Sequence, residues 1–241
     1  MSKLTQWMDR TFYPNYERNW DDSLFRMEIL KYLHKETVLL DLGSGAGIVS
    51  QMNFRHLAKR VCGIDPDERV VNNPYLDEGK VAMGEAIPYP DNSFDMVIAD
   101  NVFEHLTDPG AVLKEVARVL KAGGVFLAKT PNKNHYMPLI ARLIPHRYHA
   151  YINRLRGSTR TDVDTFPICY RINTSKDVRQ YAENSGLRIR QIQLFEGRPE
   201  YLRMTFITYI FGYLYERLVN TFSGLQRFRG GMIVVLEKPQ V

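Results

Sequence analysis

An acidic residue and three alternating glycines form the first group in the chain whose types and spacing could do chemistry. They are Asp41, Gly43, Gly45 and Gly47, in the pattern D-x-G-x-G-x-G, and they end the apolar run 37–42. Glycines where a strand turns into a helix let the backbone approach a ligand, whose acidic end can meet the free amides of the helix start. The pattern therefore predicts a ligand-binding turn, although a simple tight turn would use the same residues.

The ligand of this turn differs from a dinucleotide. The dinucleotide fingerprint requires a third glycine at the position that Ile48 occupies here. The Asp41 carboxylate would repel a pyrophosphate and attract a cation, and S-adenosylmethionine carries both an ammonium and a sulfonium. Asp65 ends the next apolar run, where an acidic side chain is placed to accept hydrogen bonds from ribose hydroxyls. These residues favour S-adenosylmethionine as the ligand.

Apolar runs alternate with helical patterns along most of the chain. Short continuous apolar runs predict strands covered on both faces, and their alternation with helices predicts a doubly wound sheet. We therefore predict an α/β, Rossmann-like fold with a mostly parallel seven-stranded sheet and helices on both faces. The predicted strands are 37–42, 60–65, 80–83, 94–100, 125–130, 186–196 and 232–239. The predicted helices are 21–35, 47–60, a short one from Asp67, 108–120 ended by Gly123 and Gly124, 175–184 and 201–220.

The domain organisation follows from the length of 241 residues. This is enough for one large α/β domain and too short for two average ones. We predict a single domain, 1–241, with an insertion at 131–173 that interrupts the alternation. A long segment after the fifth strand, at the ligand-bearing edge of a parallel sheet, is a candidate lid over the site.

Four stretches resemble a known family. They are VLLDLGSGAG, CGIDPD, EAIPYPDNSFDMVIADNVFEHL and LKEVARVLKAGGVFLAKTPN. In this order they resemble the class I S-adenosylmethionine-dependent methyltransferases of the bacterial type-11 group, over residues 24–131. The resemblance implies an enzyme with S-adenosyl-L-methionine as cofactor. The residues that it implies around the methionine, sugar and ribose are Asp41, Gly43, Ser44, Gly45, Asp65 and Pro66.

The expected adenine site departs from the family pattern. The family usually has Gly-Asp after the third strand, whereas Ala82 and Met83 stand there. We expect Met83 to pack on the adenine face, and Glu85 or backbone amides around Gly84 to reach its edge.

The loop after the fourth predicted strand supplies the catalytic candidates. We expect Asp100 and Asn101 to face the cofactor, and Glu104 and His105 to face the methyl acceptor. His105 is the candidate general base, because an unperturbed imidazole titrates near neutral pH. The alternative is that His105 only hydrogen-bonds a backbone carbonyl and shapes the loop. The stretch is similar to the E-x-x-E-H of quinone O-methyltransferases, which can hold a metal; because Asn101 replaces the first Glu, we predict no metal.

The predicted insertion suggests the charge of the acceptor. Residues 130–160 contain six Lys or Arg and three His but no Asp or Glu, which favours an anionic acceptor over a merely solvated surface. The substrate-contact candidates are His135, Tyr136, Arg142 and His146.

The predicted reaction is O-methylation of a small acceptor. The resemblance to type-11 enzymes, some of which serve polysaccharide, lipid or quinone pathways, extends the acceptor to a saccharide- or lipid-linked molecule. The alternatives are a quinone or other N- or C-methyltransferase, and a non-catalytic, cofactor-binding module.

The net charge, the spacing of the cysteines and the first twenty residues limit which other partners and which location are expected. The net charge of +5 is modest, and no nucleic-acid-binding module is recognisable, so we expect no nucleic acid. Cys62 and Cys169 have neither disulfide-framework nor zinc-site spacing. The first twenty residues lack the apolar run of a signal peptide, so we expect a cytoplasmic protein.

Residues 201–220 raise the question of a membrane. Their uncharged part, 204–215, is shorter than the ~20 residues that a spanning helix needs. Tyrosine-rich apolar helices are common in protein cores, which favours a helix buried against the sheet or an acceptor pocket. The alternative is a helix that lies on a lipid surface as a peripheral contact at the inner membrane face.

Overall fold

The computed structural model describes residues 3–17, 19–143 and 167–240. The chain divides into two compact units. The sheet unit consists of Asp21–Pro131, Ile168–Gln193 and Met232–Val241. The helical unit consists of Met1–Trp20, Asn132–Pro167 and Leu194–Gly231. Much of the predicted lid, 131–173, lies outside the described residues, so the lid and the single domain 1–241 remain predictions.

A seven-stranded sheet forms the core of the sheet unit. Its strands are β1 (Val38–Leu42), β2 (Arg60–Asp65), β3 (Glu78–Val81), β4 (Phe94–Asp100), β5 (Leu120–Pro131), β6 (Arg188–Phe195) and β7 (Gly231–Glu237). Their order is β3-β2-β1-β4-β5-β7-β6, and the first five are parallel. The whole sheet is mixed, with one antiparallel pair. This confirms the Rossmann-like, mostly parallel prediction.

The strand register positions the acidic residues. Asp41 of β1 lies opposite Gly63 of β2 on one side and Ile98 of β4 on the other. Asp65 and Asp100 are the last residues of β2 and β4. The strand order reverses between β1 and β4, and ligands of such sheets bind beyond the carboxyl ends of the strands at this reversal. Three carboxylates therefore stand where a ligand is expected.

Six α-helices accompany these strands in the described part of the chain. They are α1 (Lys3–Phe12), α2 (Trp20–Leu30), α3 (Pro109–Val119), α4 (Tyr136–Leu143), α5 (Ser175–Asn184) and α6 (Phe206–Thr221). The side chain of Asp108 accepts a hydrogen bond from the amide of Ala111 and starts α3, with Pro109 in the first turn, as predicted. Thr174 caps α5 in the same way, and the prediction of 175–184 is confirmed.

The predicted helix 47–60 is wrong. The structure has only a 3₁₀ turn, Ser50–Met52, in its place, and both Gly47 and His56 have left-handed backbone angles that a continuous helix excludes. The guanidinium of Arg26 also donates hydrogen bonds to the carbonyls of Gln51 and Asn53, at 2.6 and 2.8 Å. A helix would need those carbonyls for its own ladder. The glycine turn therefore does not open an α-helix.

Gly123 and Gly124 do not end the preceding helix, which was also predicted wrongly. The helix α3 ends at Val119, and both glycines belong to β5, where the pairing with β4 shifts between Leu120 and Val125. A Cβ on Gly124 would lie 2.8 Å from the Lys121 carbonyl oxygen. The glycines therefore allow an irregular first part of β5.

Two smaller corrections concern the boundaries of β3 and α2. The strand β3 begins at Glu78, two residues before its predicted start, and α2 ends at Leu30, five residues before its predicted end. The predicted short helix from Asp67 is confirmed as a 3₁₀ helix, Glu68–Asn72, which the side chain of Asp67 caps.

Replacing Asp108 with Ala should lower the free energy of unfolding by about 1 kcal/mol, because an N-terminal amide of α3 loses its acceptor. Denaturant titration measures this change. Asp108→Asn keeps an accepting oxygen and serves as the control. An equal loss in both variants would show that the cap itself does not stabilise the helix.

Candidate active site

The glycine turn has the backbone geometry that its sequence requires. Gly43, Gly45 and Gly47 have φ angles of 79°, 50° and 73°. The amide of Gly43 donates to the carbonyl of Ile64 at 2.8 Å, which ties the turn to β2. A Cβ on Gly43 would lie 2.4 Å from Cγ2 of Val102. The absence of a side chain there lets the turn approach the loop after β4.

Asp65 and Asn73 hold the turn from the β2 side. Asp65 accepts hydrogen bonds from the amides of Gly45 at 2.9 Å and Asp67 at 2.8 Å. The amide group of Asn73 donates to the carbonyls of Ser44 and Gly45, at 2.9 and 3.2 Å. Sequence reasoning missed Asn73; the Asn-Pro pair that it opens signals a turn, but not what the turn holds.

Asp41 is buried among like charges. Its residue is 7 % exposed, and burial, followed by the nearby Asp100 and Asp65, raises the pKa of its carboxyl to about 8. Among the residues that the structure describes, no side chain or backbone amide donates a hydrogen bond to this carboxylate. A cationic ligand would stabilise its charged form, so the site fits a ligand that brings a positive charge.

Lys129 provides a buried cation beside this site. Its residue is 1 % exposed, and its ammonium contacts Asp22, lies 3.0 Å from Asp21 and lies 3.1 Å from Asp100. Burial lowers the pKa of Lys129, but Asp100, Asp21 and Asp22 outweigh it and raise that pKa. Burial raises the pKa of Asp100 to about 6, although Lys129 opposes the shift. Asp100 is therefore paired, whereas Asp41 has no pairing cation among the described residues.

Asn101 follows Asp100 with a left-handed backbone, at a φ angle of 54°. Its backbone amide donates to the carbonyl of Lys129 at 2.8 Å, and its side-chain amide donates to Asp100 at 3.0 Å. Lys129, Asp21, Asp22 and Asp100 form a group that we call the Lys129 cluster. Of the two predicted cofactor residues of this loop, Asp100 belongs to the cluster and Asn101 is hydrogen-bonded to it.

Glu104 and His105 lie in a 3₁₀ turn, Phe103–His105. Glu104 is 6 % exposed and accepts a hydrogen bond from Oγ1 of Thr130 at 3.0 Å; the side-chain amide of Asn173 donates to that same hydroxyl oxygen at 2.6 Å. Burial raises the pKa of Glu104, and the charge of His105 opposes this. The sequence did not indicate Thr130 or Asn173. Glu104 therefore lies within a buried network, while His105 is half-buried.

The predicted adenine residues lie beside the end of β2. The amide of Ala82 donates to the carbonyl of Asp65 at 3.1 Å. Met83 is 55 % exposed, and a Cβ on Gly84 would lie 3.3 Å from Leu42. The remaining cofactor candidates are the half-buried Glu85 and the exposed Pro66.

The predicted substrate residues belong to the helical unit. His135 is 4 % exposed; its Nε2 lies 3.3 Å from Oε2 of Glu196, and its ring centre is 4.0 Å from that of Tyr136. The side chain of Arg142 and all of His146 lie outside the described residues. The roles of these four residues as substrate contacts remain predictions.

The described ranges are 3–17, 19–143 and 167–240. No group of three or more His, Cys, Asp or Glu side chains is placed there to hold a metal ion.

Part of the sheet unit matches a known protein family. A family model described as a methyltransferase domain matches residues 40–128. Residues 40–128 are a class I S-adenosylmethionine-dependent methyltransferase domain. S-adenosyl-L-methionine is the cofactor of this family. Its ammonium and sulfonium fit the buried, unpaired Asp41.

Two curated relatives are similar to part of the chain. A probable S-adenosylmethionine-dependent methyltransferase of Mycolicibacterium smegmatis is 37% identical over 105 residues, covering 42% of this chain and 40% of the relative. A ubiquinone biosynthesis O-methyltransferase of Bradyrhizobium is 37% identical over 105 residues, covering 40% of each chain. The chain thus spans 40% of the length of these relatives.

The fold of the chain also matches solved methyltransferase structures. A methyltransferase of Methanosarcina mazei has a TM-score of 0.58 at 17% sequence identity, covering 89% of this chain and 98% of that one. At this identity the match supports the fold alone.

In the protein without cofactor, replacing Asp41 with Asn should raise the free energy of unfolding above that of the wild type. This difference should grow as pH rises. A folded-state pKa of about 8, against an ordinary value near 3.8, means that Asp41 weakens the fold progressively from about pH 4 to about pH 8. The free energy of unfolding of the variant should exceed that of the wild type with a slope of up to ~1.4 kcal/mol per pH unit in that window. Urea titrations across pH measure the slope, and a difference that does not change with pH would contradict the assignment.

Replacing Lys129 with Met should cost about 3–5 kcal/mol of unfolding free energy at pH 7, because Asp22 and Asp100 lose their buried partner. The loss should shrink toward pH 5, because Asp100, whose pKa is raised to about 6, takes up a proton there. Lys121→Met is the matched control: its partner Asp95 is partly exposed, so the expected change is below ~1 kcal/mol. Similar losses in the two variants would argue against a special role for the Lys129 cluster.

Proposed function

We propose that the protein is an S-adenosylmethionine-dependent methyltransferase that methylates an oxygen of a small anionic acceptor, attached to a saccharide or a lipid. The observation that supports cofactor binding most strongly is Asp41, a buried carboxylate without a donor in the described residues and with a pKa near 8. A non-catalytic module that had lost the cofactor would gain nothing from this costly arrangement.

The residues at the strand ends would bind and orient the cofactor. Bound S-adenosylmethionine supplies an electrophilic methyl group on its sulfonium. Asp41 would attract the cationic end, and Asp65, already aligned by the amides of Gly45 and Asp67, would accept hydrogen bonds from the ribose hydroxyls. Met83, largely exposed beside Gly84, offers an apolar surface for the adenine. These contacts leave catalysis chiefly a matter of alignment and exclusion of water.

His105 would take the proton of the acceptor hydroxyl. It is half-buried in the loop directly after β4, one residue after the buried Glu104. The imidazolium formed when His105 accepts the proton would be stabilised by the neighbouring Glu104 carboxylate. In this proposal Glu104 is a positioning residue, held by Thr130, rather than a group that touches the acceptor.

The chemistry of the acceptor is proposed from charge and from similarity. Six Lys or Arg without an acid in 130–160 favour an anion, such as a phosphate or a carboxylate. A second candidate is a quinone precursor, because 105 residues of the chain are 37% identical to a ubiquinone biosynthesis O-methyltransferase. The predicted contacts to the acceptor are His135, Tyr136, Arg142 and His146.

A tritiated-methyl transfer screen tests the activity. The purified protein would be incubated with labelled cofactor and with cell extracts separated into lipid, saccharide, quinone and small-acid fractions. Label in a lipid or saccharide fraction that binds to an anion exchanger supports the proposal, and label in the quinone fraction supports the second candidate. Cofactor binding with no transfer to any fraction would contradict methyl transfer.

His105→Ala should lower turnover of the identified acceptor at least about a hundredfold, because the hydroxyl loses its base. Cofactor affinity, measured by calorimetry, should change less than about twofold, since the three strand-end carboxylates remain. His34→Ala is the control: this exposed histidine precedes β1, at the other end of that strand. Full activity in His105→Ala would return this residue to a structural role.

A further inference from the structure

The helix α6 turns its polar side inward. Its buried residues include Tyr209 and Glu216. The hydroxyl of Tyr209 donates to Asp9 at 2.7 Å, and that of Tyr13 donates to Glu216 at 3.0 Å. Asn220 also donates to Glu216, at 2.6 Å. The helical unit therefore uses the polar groups of α6 for its own internal contacts.

The outward side of α6 is apolar. Ile207, Phe211, Leu214 and Leu218 follow one another at intervals of four, three and four residues, and are 67, 64, 50 and 49 % exposed. Phe222, at 55 %, extends the row. This spacing places them on one side of the helix, along roughly 20 Å at 1.5 Å per residue. We call this row the apolar face of α6.

This arrangement is the reverse of an ordinary surface helix, which hides its apolar stripe and presents polar residues to water. One side of α6, with Tyr209, Gly212, Glu216 and Val219, is buried, and the sequence interpretation of a helix buried against the sheet or an acceptor pocket remains a prediction. A contiguous exposed apolar surface of this kind marks a contact with another apolar surface.

The charges near the apolar face of α6 indicate which kind of surface this face contacts. Residues 201–230 contain four arginines and one acid, Glu216, and that acid is buried. Arg217, half-exposed next to Leu218, pairs with Glu216 at 3.3 Å, and Arg227 is exposed in the 3₁₀ turn Ser223–Phe228 that follows the helix. Pairing two copies of this face about a twofold axis would bring like charges together. An anionic lipid surface instead accepts both the apolar side chains and the cations.

We propose that the apolar face of α6 docks the protein on an anionic lipid bilayer, with the helix lying in the plane of the surface. The helix has 16 residues, and none of the helices in the described ranges is long and apolar enough to cross a membrane. The apolar side chains enter the boundary between headgroups and acyl chains, while the arginines contact anionic headgroups. This docking does not depend on methyl transfer.

Vesicle flotation of the full chain tests the docking. The protein should float with phosphatidylcholine vesicles that contain phosphatidylglycerol, less with phosphatidylcholine alone, and less at high salt. The double variant Phe211→Ser with Leu218→Ser should lower the fraction bound at least about tenfold. Its control is Met27→Ser with Val71→Ser, which removes two equally exposed apolar side chains of the sheet unit and should leave binding unchanged.

Two further measurements separate docking from misfolding and self-association. Arg227→Gln should weaken binding to anionic vesicles and leave any binding to phosphatidylcholine unchanged. In Phe211→Trp, indole emission should shift to shorter wavelength when anionic vesicles are added, in a protein whose circular dichroism matches the wild type. Absence of flotation, equal flotation of the double variant, or a concentration-dependent dimer that this variant abolishes would overturn the proposal.

Discussion

The site is organised around an excess of buried negative charge at the carboxyl ends of β1, β2 and β4. Asp41, Asp65 and Asp100 converge there because the parallel register aligns the ends of their strands. Burial, followed by repulsion from Asp100 and Asp65, raises the pKa of Asp41 to about 8. Lys129 pairs with Asp100, and a backbone amide donates to Asp65, so these two carboxylates have partners. Asp41 has no donor among the described residues, and in the proposed function it receives the cation of the ligand.

The Lys129 cluster offsets part of this buried negative charge within the sheet unit. Lys129 reaches Asp21 and Asp22 at the start of α2 as well as Asp100, so one buried cation offsets three carboxylates. Its carbonyl also accepts the amide of Asn101, which fixes the first residue of the loop that leads to His105. The same cluster therefore connects the electrostatics of the proposed cofactor site with the position of His105, the proposed base.

Local patterns were enough to predict much of the fold. The strands 60–65 and 94–100 and the helix 175–184 were predicted with the observed boundaries, because each has a continuous apolar run or a capped periodic pattern. The helix 47–60 failed because bonds from Arg26, far away in sequence, hold the carbonyls of that stretch. Lys129 was missed for a similar reason: its partner Asp22 is 107 residues away, and no local spacing reveals such a pair.

The central claim is that Asp41 receives the cation of S-adenosylmethionine. Calorimetric titration with this cofactor at pH 7, repeated in buffers of different ionisation enthalpy, measures the protons released on binding. A carboxyl with a pKa of about 8 is about nine-tenths protonated at pH 7, so binding a cation there should release nearly one proton. The release should vanish in Asp41→Asn, which should also bind more weakly. Binding without proton release, or equal affinity and release in the variant, would contradict the account.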